Sequence, residues 1–163
     1  MKRGLLFPPS LVVWLAASIV VFATDLQAQV RHLTSQTLYV PAYSHIYYGD
    51  RERPMLLAVT LSVRNTDRNH PIVVESVEYF NSEGKRIREM IQGPLTLTPL
   101  SSTRFVIQES DTSGGSGACF VLRWKSAKPV TEPIIETIMI NTQSQLGISF
   151  TSRARVLQET IAK

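Results

Sequence analysis

The feature that most constrains this chain is an alternating stretch of sequence that begins after Pro54 and ends at Thr66. Every second residue of the stretch is apolar. In its second half the intervening residues are polar, namely Thr60, Ser62 and Arg64. Successive side chains of a β-strand point to opposite faces, so this period of two predicts a strand with one buried face. The apolar set is Met55, Leu57, Val59, Leu61 and Val63. The rest of the chain must therefore supply a second layer that covers this face.

Most of the remaining chain is also typical of short strands separated by turn residues. Besides 54–66, strands are predicted at 38–48, 72–80, 85–91, 102–108, 119–125, 134–142 and 147–156. A β-bulge is expected near Glu75 and Ser76, where the apolar phase shifts, and Gly84 is expected to close a hairpin turn. About eight short strands without an amphipathic helix predict an all-β fold, a single antiparallel immunoglobulin-like β-sandwich. A small β-barrel is the alternative architecture.

The N-terminus has the pattern of a secretory signal peptide. Positive charge within Met1–Gly4 precedes an apolar run at 11–22, and Leu26 and Ala28 occupy the positions that a signal peptidase reads. We expect a signal peptide at 1–28, with cleavage after Ala28, and a periplasmic or secreted protein. The alternative is an uncleaved anchor formed by residues 5–24, which would then be the only contact with a membrane.

After the signal peptide, the pattern predicts a linker at 29–36, a sandwich domain at 37–157 and a C-terminal tail at 158–163. The net charge of +4 comes from basic residues scattered over many segments, so no nucleic-acid partner is expected. The single cysteine, Cys119, cannot form a disulfide within the chain. Stability must therefore come from the packed core.

Four stretches carry a resemblance to a known family. They are 38–45, 61–66, 111–118 and 147–153, with the sequences LYVPAYSH, LSVRNT, DTSGGSGA and GISFTSR. In this order they resemble the bacterial domain of unknown function family 3124, over about the whole mature domain. The resemblance implies an extracytoplasmic protein of a family without an assigned function, and it implies no activity, cofactor or catalytic residue.

The glycine-rich loop from Glu109 to Gly117 is the most informative polar segment. Aspartic-protease chemistry would need a second aspartate and a glycine after Thr112, and a phosphate loop would need a lysine followed by a helix. Two hypotheses remain. In one the loop is a tight connector; in the other Glu109 and Asp111 contribute to a Ca²⁺ site, or the glycine amides bind an anion. Two carboxylates are fewer oxygen ligands than Ca²⁺ prefers, so the connector is favoured and no cofactor is expected.

A second candidate surface is rich in tyrosine. Side chains 39, 43 and 47 share strand parity, so they are expected to line one face that suits a glycan or a partner protein. The alternative is that these rings only cover the edge of the sandwich. The combined candidate binding surface comprises Tyr39, Tyr43, His45, Tyr47, Asp111, Ser113, Gly114 and Gly115.

No set of residues in the sequence has the spacing of an activated nucleophile or a metal centre. The expected function is therefore a non-catalytic binding or accessory module of the cell envelope, with an unidentified protein or glycan partner. One alternative is an enzyme whose site assembles from Glu109, Asp111, His45 and nearby tyrosines. Another is a subunit of an envelope assembly.

Overall fold

A computed structural model describes residues 30–141 and 147–162, and all of the regular structure in these residues is β-strand. The strands are β1 (His32–Pro41), β2 (His45–Tyr48), β3 (Arg53–Leu56), β4 (Ala58–Arg64), β5 (Ile72–Phe80), β6 (Arg86–Glu89), β7 (Leu95–Leu97), β8 (Ser102–Ile107), β9 (Cys119–Thr131), β10 (Ile134–Asn141), β11 (Ile148–Arg153) and β12 (Arg155–Ile161). The predicted all-β class is confirmed. The predicted signal peptide and its cleavage site lie outside the described residues.

The strands form two main antiparallel sheets. The larger has the order β12-β1-β9-β5-β6, with β7 also paired to β5, and the smaller has the order β11-β10-β4-β8. Strands β2 and β3 form a separate two-stranded sheet. One apolar core contains buried residues from both main sheets, which is the arrangement of a β-sandwich. In the described part of the chain none of the sheets closes into the barrel that was the alternative.

The alternating stretch supplies the centre of the smaller sheet. Leu57, Val59, Leu61 and Val63 are fully buried in the core, as the period of two predicted. The stretch is not one strand, however. It divides at Leu57, whose amide donates to the carbonyl of Ser44 at 2.9 Å, so its first part pairs with β2 and its second part with β8 and β10. Apolar periodicity reports the buried face and not the partner strand, which is why this division was missed.

The described residues form twelve strands, where about eight were predicted. The predicted last strand also divides, at Ala154: β11 pairs with β10 in the smaller sheet, and β12 pairs with β1 in the larger sheet. The chain thus passes from the smaller to the larger sheet at Ala154, although the sequence on the two sides of Ala154 was predicted as one continuous strand. Each such change of sheet divides a continuous sequence pattern into separate strands.

The predicted domain boundaries were too narrow at both ends. Residues 32–36, predicted as linker, belong to β1, and residues 158–161, predicted as tail, belong to β12. The two segments pair with each other, for example at Gln36 and Glu159. All of β12 is exposed, so this strand has no apolar face that could reveal it in the sequence.

Two local predictions are confirmed. The pairing of β5 with β9 shifts register between Val74 and Ser76, where the β-bulge was expected. The turn after β5 has Gly84 at a φ of 76°, and the Gly84 amide donates to the carbonyl of Asn81 at 3.0 Å. A side chain rarely adopts this positive φ, which explains the glycine.

Among the described residues no helix has the length and apolar character needed to cross a membrane.

Candidate functional site

The two predicted surfaces meet at one end of the sandwich. The chain that leaves β1 runs beside the glycine-rich loop: the amide of Ala42 donates to the carbonyl of Ala118 at 2.8 Å, and the amide of Ser44 donates to the carbonyl of Gly115 at 3.1 Å. We call this region the loop end, and define it as residues 42–56 together with the loop 109–117. Main-chain hydrogen bonds therefore join the tyrosine-rich segment and the glycine-rich loop.

A buried pair of hydroxyls underlies the loop end. The hydroxyl of Ser44 lies 3.0 Å from that of Tyr79, and both side chains are fully buried. Burial raises the pKa of Tyr79, and the nearby Asp111 carboxylate adds to this effect, although the Ser44 hydrogen bond opposes it. Tyr79 therefore stays protonated at neutral pH and can donate a hydrogen bond.

Gly114 passes directly over this hydroxyl pair. A Cβ at this position would lie 1.9 Å from the Tyr79 hydroxyl oxygen and 2.7 Å from Ser44 Oγ. Real Cβ atoms do not approach neighbouring atoms so closely, so only glycine fits. The glycine seen in the sequence is thus required by a close approach of the backbone.

The β5–β6 turn holds the loop from the other side. Ser82 donates to the carbonyl of Gly114 through both its amide, at 2.9 Å, and its hydroxyl, at 3.1 Å. The Ser82 hydroxyl also accepts a hydrogen bond from the amide of Gly117 at 3.0 Å. The glycine-rich loop is therefore fixed along its length and does not depend on a ligand for its shape.

Asp111 is bound on both carboxylate oxygens. Oδ1 accepts hydrogen bonds from the amide and the hydroxyl of Ser113, and Oδ2 accepts one from Arg88 Nη2 at 2.7 Å. The Ser113 hydroxyl is the main cause that lowers the pKa of Asp111; partial burial opposes it, and the Ser113 amide and Arg88 add to the lowering. The Arg88 guanidinium also lies 5.6 Å from the centre of the Tyr79 ring.

Glu109, the second candidate ligand for Ca²⁺, has a different partner. Its Oε1 accepts a hydrogen bond from Asn141 Nδ2 at 3.0 Å, and the same nitrogen lies 2.7 Å from the carbonyl oxygen of Leu56. Among the described residues no three His, Cys, Asp or Glu side chains are close enough to hold a metal ion together. The two carboxylates thus have separate protein partners.

The β2–β3 hairpin presents the exposed aromatic rings of the loop end. His45 Nε2 lies 3.0 Å from the Tyr47 hydroxyl, and the two rings meet edge to face at 5.1 Å. The side chains of Tyr47 and Tyr48 are 55% and 49% exposed. Pro54 pairs opposite Tyr47 and is also exposed. The hairpin therefore offers exposed aromatic rings that combine apolar faces with polar tips.

The other two candidate tyrosines pack against the protein. Tyr39 is half-buried on β1, where burial and the neighbouring Cys119 thiol raise its pKa, and Tyr43 meets the Phe150 ring edge to face at 5.8 Å. The predicted common face of tyrosines 39, 43 and 47 was wrong, because the chain leaves β1 after Pro41 and enters a different sheet. Burial raises the pKa of Cys119, which keeps this thiol protonated and unreactive.

The side chains of the enzyme hypothesis fall into separate groups. His45 is bonded to Tyr47, Asp111 to Ser113 and Arg88, and Glu109 to Asn141. Within residues 30–141 and 147–162 no hydrogen bond or ion pair joins one of these groups to another. The four side chains proposed for an enzyme site are therefore each bonded within their own group.

Sequence reasoning missed Ser44, Tyr79, Ser82 and Arg88 as parts of this region. One signal was present for Arg88: the hairpin turn at 81–84 returns the chain so that Arg88 pairs opposite Tyr79. Ser44 and Tyr79 were unrecognised because their partners are distant in sequence.

Comparisons with known proteins give a family and no function. No curated protein matches the chain. The crystal structure of Thermotoga maritima 1070 is similar with a TM-score of 0.43 and 8% sequence identity, covering 74% of this chain and 92% of that chain. The family model "Protein of unknown function (DUF3124)" matches residues 35–157, which include the glycine-rich loop and every strand from β2 to β11. The chain therefore belongs to the DUF3124 family.

Proposed function

We propose that this protein is a non-catalytic, exported binding module of the cell envelope that binds a carbohydrate at the loop end. The observation that carries the proposal is the hydrogen bond from the Ser44 amide to the Gly115 carbonyl. It brings the exposed rings of the β2–β3 hairpin and the hydroxyl-rich loop into one surface. A rigid surface of this kind loses little conformational entropy when it binds a ligand.

The chemistry of the loop end favours a carbohydrate over other ligands. Exposed tyrosine rings provide apolar faces on which a sugar ring can stack, and their hydroxyls can bond to sugar hydroxyls. Thr112 and Ser113 add exposed hydroxyls in the adjoining loop. In the loop, Asp111 is already paired with Arg88. The exposed charges of the hairpin, Asp50, Arg51, Glu52 and Arg53, balance in sign, so the surface has no net charge that would require a charged ligand.

An NMR titration of the isotope-labelled protein tests this proposal. The probes are soluble peptidoglycan fragments and a panel of neutral oligosaccharides. We expect chemical-shift changes confined to 45–54 and 110–117, and a dissociation constant that rises about twofold to tenfold in Tyr47→Ala. The matched control is Leu157→Ala, on the distant exposed strand β12, which should bind like the wild type.

Other results would support the alternatives. Shortened or modified glycans after incubation, lost in His45→Ala or Asp111→Ala, would favour an enzyme that uses Glu109, Asp111, His45 and the tyrosines. Absence of shifts with any glycan, together with recovery of the chain in a large envelope complex, would favour an assembly subunit. Either result would overturn carbohydrate binding by a non-catalytic module.

Export is part of the same proposal and has its own test. The positive start of the chain, the apolar run at 11–22 and the small residue at Ala28 support it. Mass spectrometry of the protein from its native host should find Gln29 as the first residue. An intact Met1 in a membrane fraction would instead support the anchor formed by residues 5–24.

A further inference from the structure

The β7–β8 turn holds a leucine in an unusual backbone conformation. The amide of Ser101 donates to the carbonyl of Thr98 at 3.1 Å, which closes a four-residue turn. Leu100 is its third residue and has a φ of 59°. A turn with a positive φ at this place normally has glycine or asparagine, because a larger side chain crowds the backbone.

The same leucine is exposed and rigidly held. Its side chain is 65% exposed, although burial would be favourable for leucine. Its amide donates to the carbonyl of Asp67 at 3.1 Å, and the next residue, Ser101, accepts a hydrogen bond from the amide of Asn65 at 2.9 Å. A strained backbone that fixes an apolar side chain in water points to a ligand outside the domain.

Two more exposed apolar side chains lie at this end of the sandwich. Ile134, at the start of β10, pairs opposite Arg64 and is 48% exposed. Ile161, at the end of β12, pairs opposite Leu33 and is 61% exposed. Together with Leu100, they place three exposed apolar side chains at this end of the sandwich, one on a turn and two at strand ends.

Cationic side chains lie at the same end of the sandwich as these apolar groups. Arg64, Arg68 and Lys128 are exposed, and within the described part of the chain none of the three forms an ion pair. Lys128 is held near the 65–71 loop, because its amide donates to Ser126 Oγ, which itself donates to the carbonyl of Pro71 at 2.8 Å.

The aspartate at the centre of this end does not cancel the positive charge at its surface. Asp67 is buried, and its two carboxylate oxygens accept hydrogen bonds from the amides of Asn69, His70 and Thr131. Glu132, the partly exposed carboxylate beside Ile134, is paired with Arg31, so Arg64, Arg68 and Lys128 leave this surface with unpaired positive charge.

The chain also enters the domain at this end. His32 pairs opposite Thr131, and the Thr131 amide donates to Asp67 Oδ2 at 3.0 Å, while the Asp67 carbonyl accepts from Leu100. Asp67 thus connects the turn that contains Leu100 to β9, and β9 pairs with the first strand at His32.

We propose that this end of the domain docks peripherally on an anionic lipid bilayer. Leu100, Ile134 and Ile161 insert into the interface, and Arg64, Arg68 and Lys128 lie against the lipid headgroups. Scattered apolar tips together with cations suit a deformable, negatively charged surface, where each type of contact adds to the affinity. The loop end, on the opposite side of the sandwich, then faces away from the membrane.

The first test measures partition of the full chain onto vesicles, for which Leu100→Asn is the key variant. Asparagine tolerates positive φ, so this variant should fold at least as well as the wild type while it loses the apolar side chain. On vesicles of phosphatidylglycerol and phosphatidylcholine, partition should fall about tenfold to a hundredfold. The same substitution in the middle of β12, Leu157→Asn, is the matched control and should leave partition unchanged.

A second measurement remains informative if residues 1–29 hold every variant on the vesicles. Hydrogen–deuterium exchange of the vesicle-bound chain should slow at 66–70 and 98–101, and should not change at 109–117. This slowing should be lost in Leu100→Asn and on vesicles of phosphatidylcholine alone. Equal exchange with and without anionic vesicles would overturn the proposal and favour a protein partner for Leu100.

Discussion

The hydroxyl oxygens of Tyr79 and Ser44 lie 3.0 Å apart inside the domain, and neither side chain is exposed to solvent. Each hydroxyl therefore depends on the other for its hydrogen bond. Tyr79→Phe should lower the free energy of unfolding by roughly 1–3 kcal/mol, because the Ser44 hydroxyl remains buried without its partner. Adding Ser44→Ala should restore part of the loss. Urea denaturation of the two single variants and the double variant measures this coupling, and simply additive losses would contradict it.

Gly114 should be intolerant of any side chain. In Gly114→Ala the new Cβ meets the Tyr79 and Ser44 hydroxyl oxygens, so the loop or the buried pair must move. We expect a loss of about 1–3 kcal/mol or more, as for other overpacked sites. The matched control is Gly93→Ala, where no atom lies within 4 Å of the added Cβ. Thermal denaturation should leave the control within a few tenths of a kcal/mol of the wild type, and equal losses at both sites would show that crowding is not the cause.

Stability should fall in acid because of Asp67 and Asp111. Burial tends to raise the pKa of Asp67, but hydrogen bonds from the Asn69, Thr131 and His70 amides outweigh it, so the pKa of each aspartate is lowered in the folded chain. Their stabilising contribution is therefore complete above the ordinary aspartate pKa of 3.8 and is lost as pH falls through the lower folded values.

Melting temperatures between pH 7 and pH 2 measure this loss. Asp111→Asn should be destabilising at pH 7, and its difference from the wild type should shrink as the pH falls below about 4. Ser113→Ala removes the hydrogen bond that most lowers the pKa of Asp111, so its acid-induced loss should be smaller than that of the wild type and complete at a higher pH. A difference between Asp111→Asn and the wild type that stays constant down to pH 2 would contradict the assignment.

Saturating Ca²⁺ should leave the melting temperature unchanged. Asp111 is already paired with Arg88 and Ser113, and Glu109 is bonded to Asn141, so neither carboxylate is placed to share a cation with the other. A genuine site would stabilise the fold by about 2.7 kcal/mol at a hundredfold excess over its dissociation constant, which is a shift of several degrees. Such a shift, abolished in both Asp111→Asn and Glu109→Gln, would establish the metal site that we do not expect.

The candidate site was only partly accessible from the sequence. The glycine-rich loop and the exposed Tyr47 were recognised by their residue types alone. The common tyrosine face was wrong, because the parity argument assumed one continuous strand through Pro41. The hydrogen bonds from Ser44 to Gly115 and to Tyr79 join residues far apart in the chain, and no local pattern encodes such partners.

The sequence alone determined the class of fold, since apolar periodicity, the β-bulge and the hairpin glycine depend only on near neighbours. It also indicated the core face of β4, because Leu57, Val59, Leu61 and Val63 alternate. Only the tertiary structure decided which strands pair, where the central stretch and the last strand divide between sheets, and that residues 158–161 form part of an edge strand. Strand pairing depends on hydrogen bonds between segments that are distant in the sequence. The packing of these segments then decides which face of each strand is exposed. Burial is a property of the whole packed domain, so a fully exposed edge strand such as β12 has no buried face that a sequence pattern could reveal.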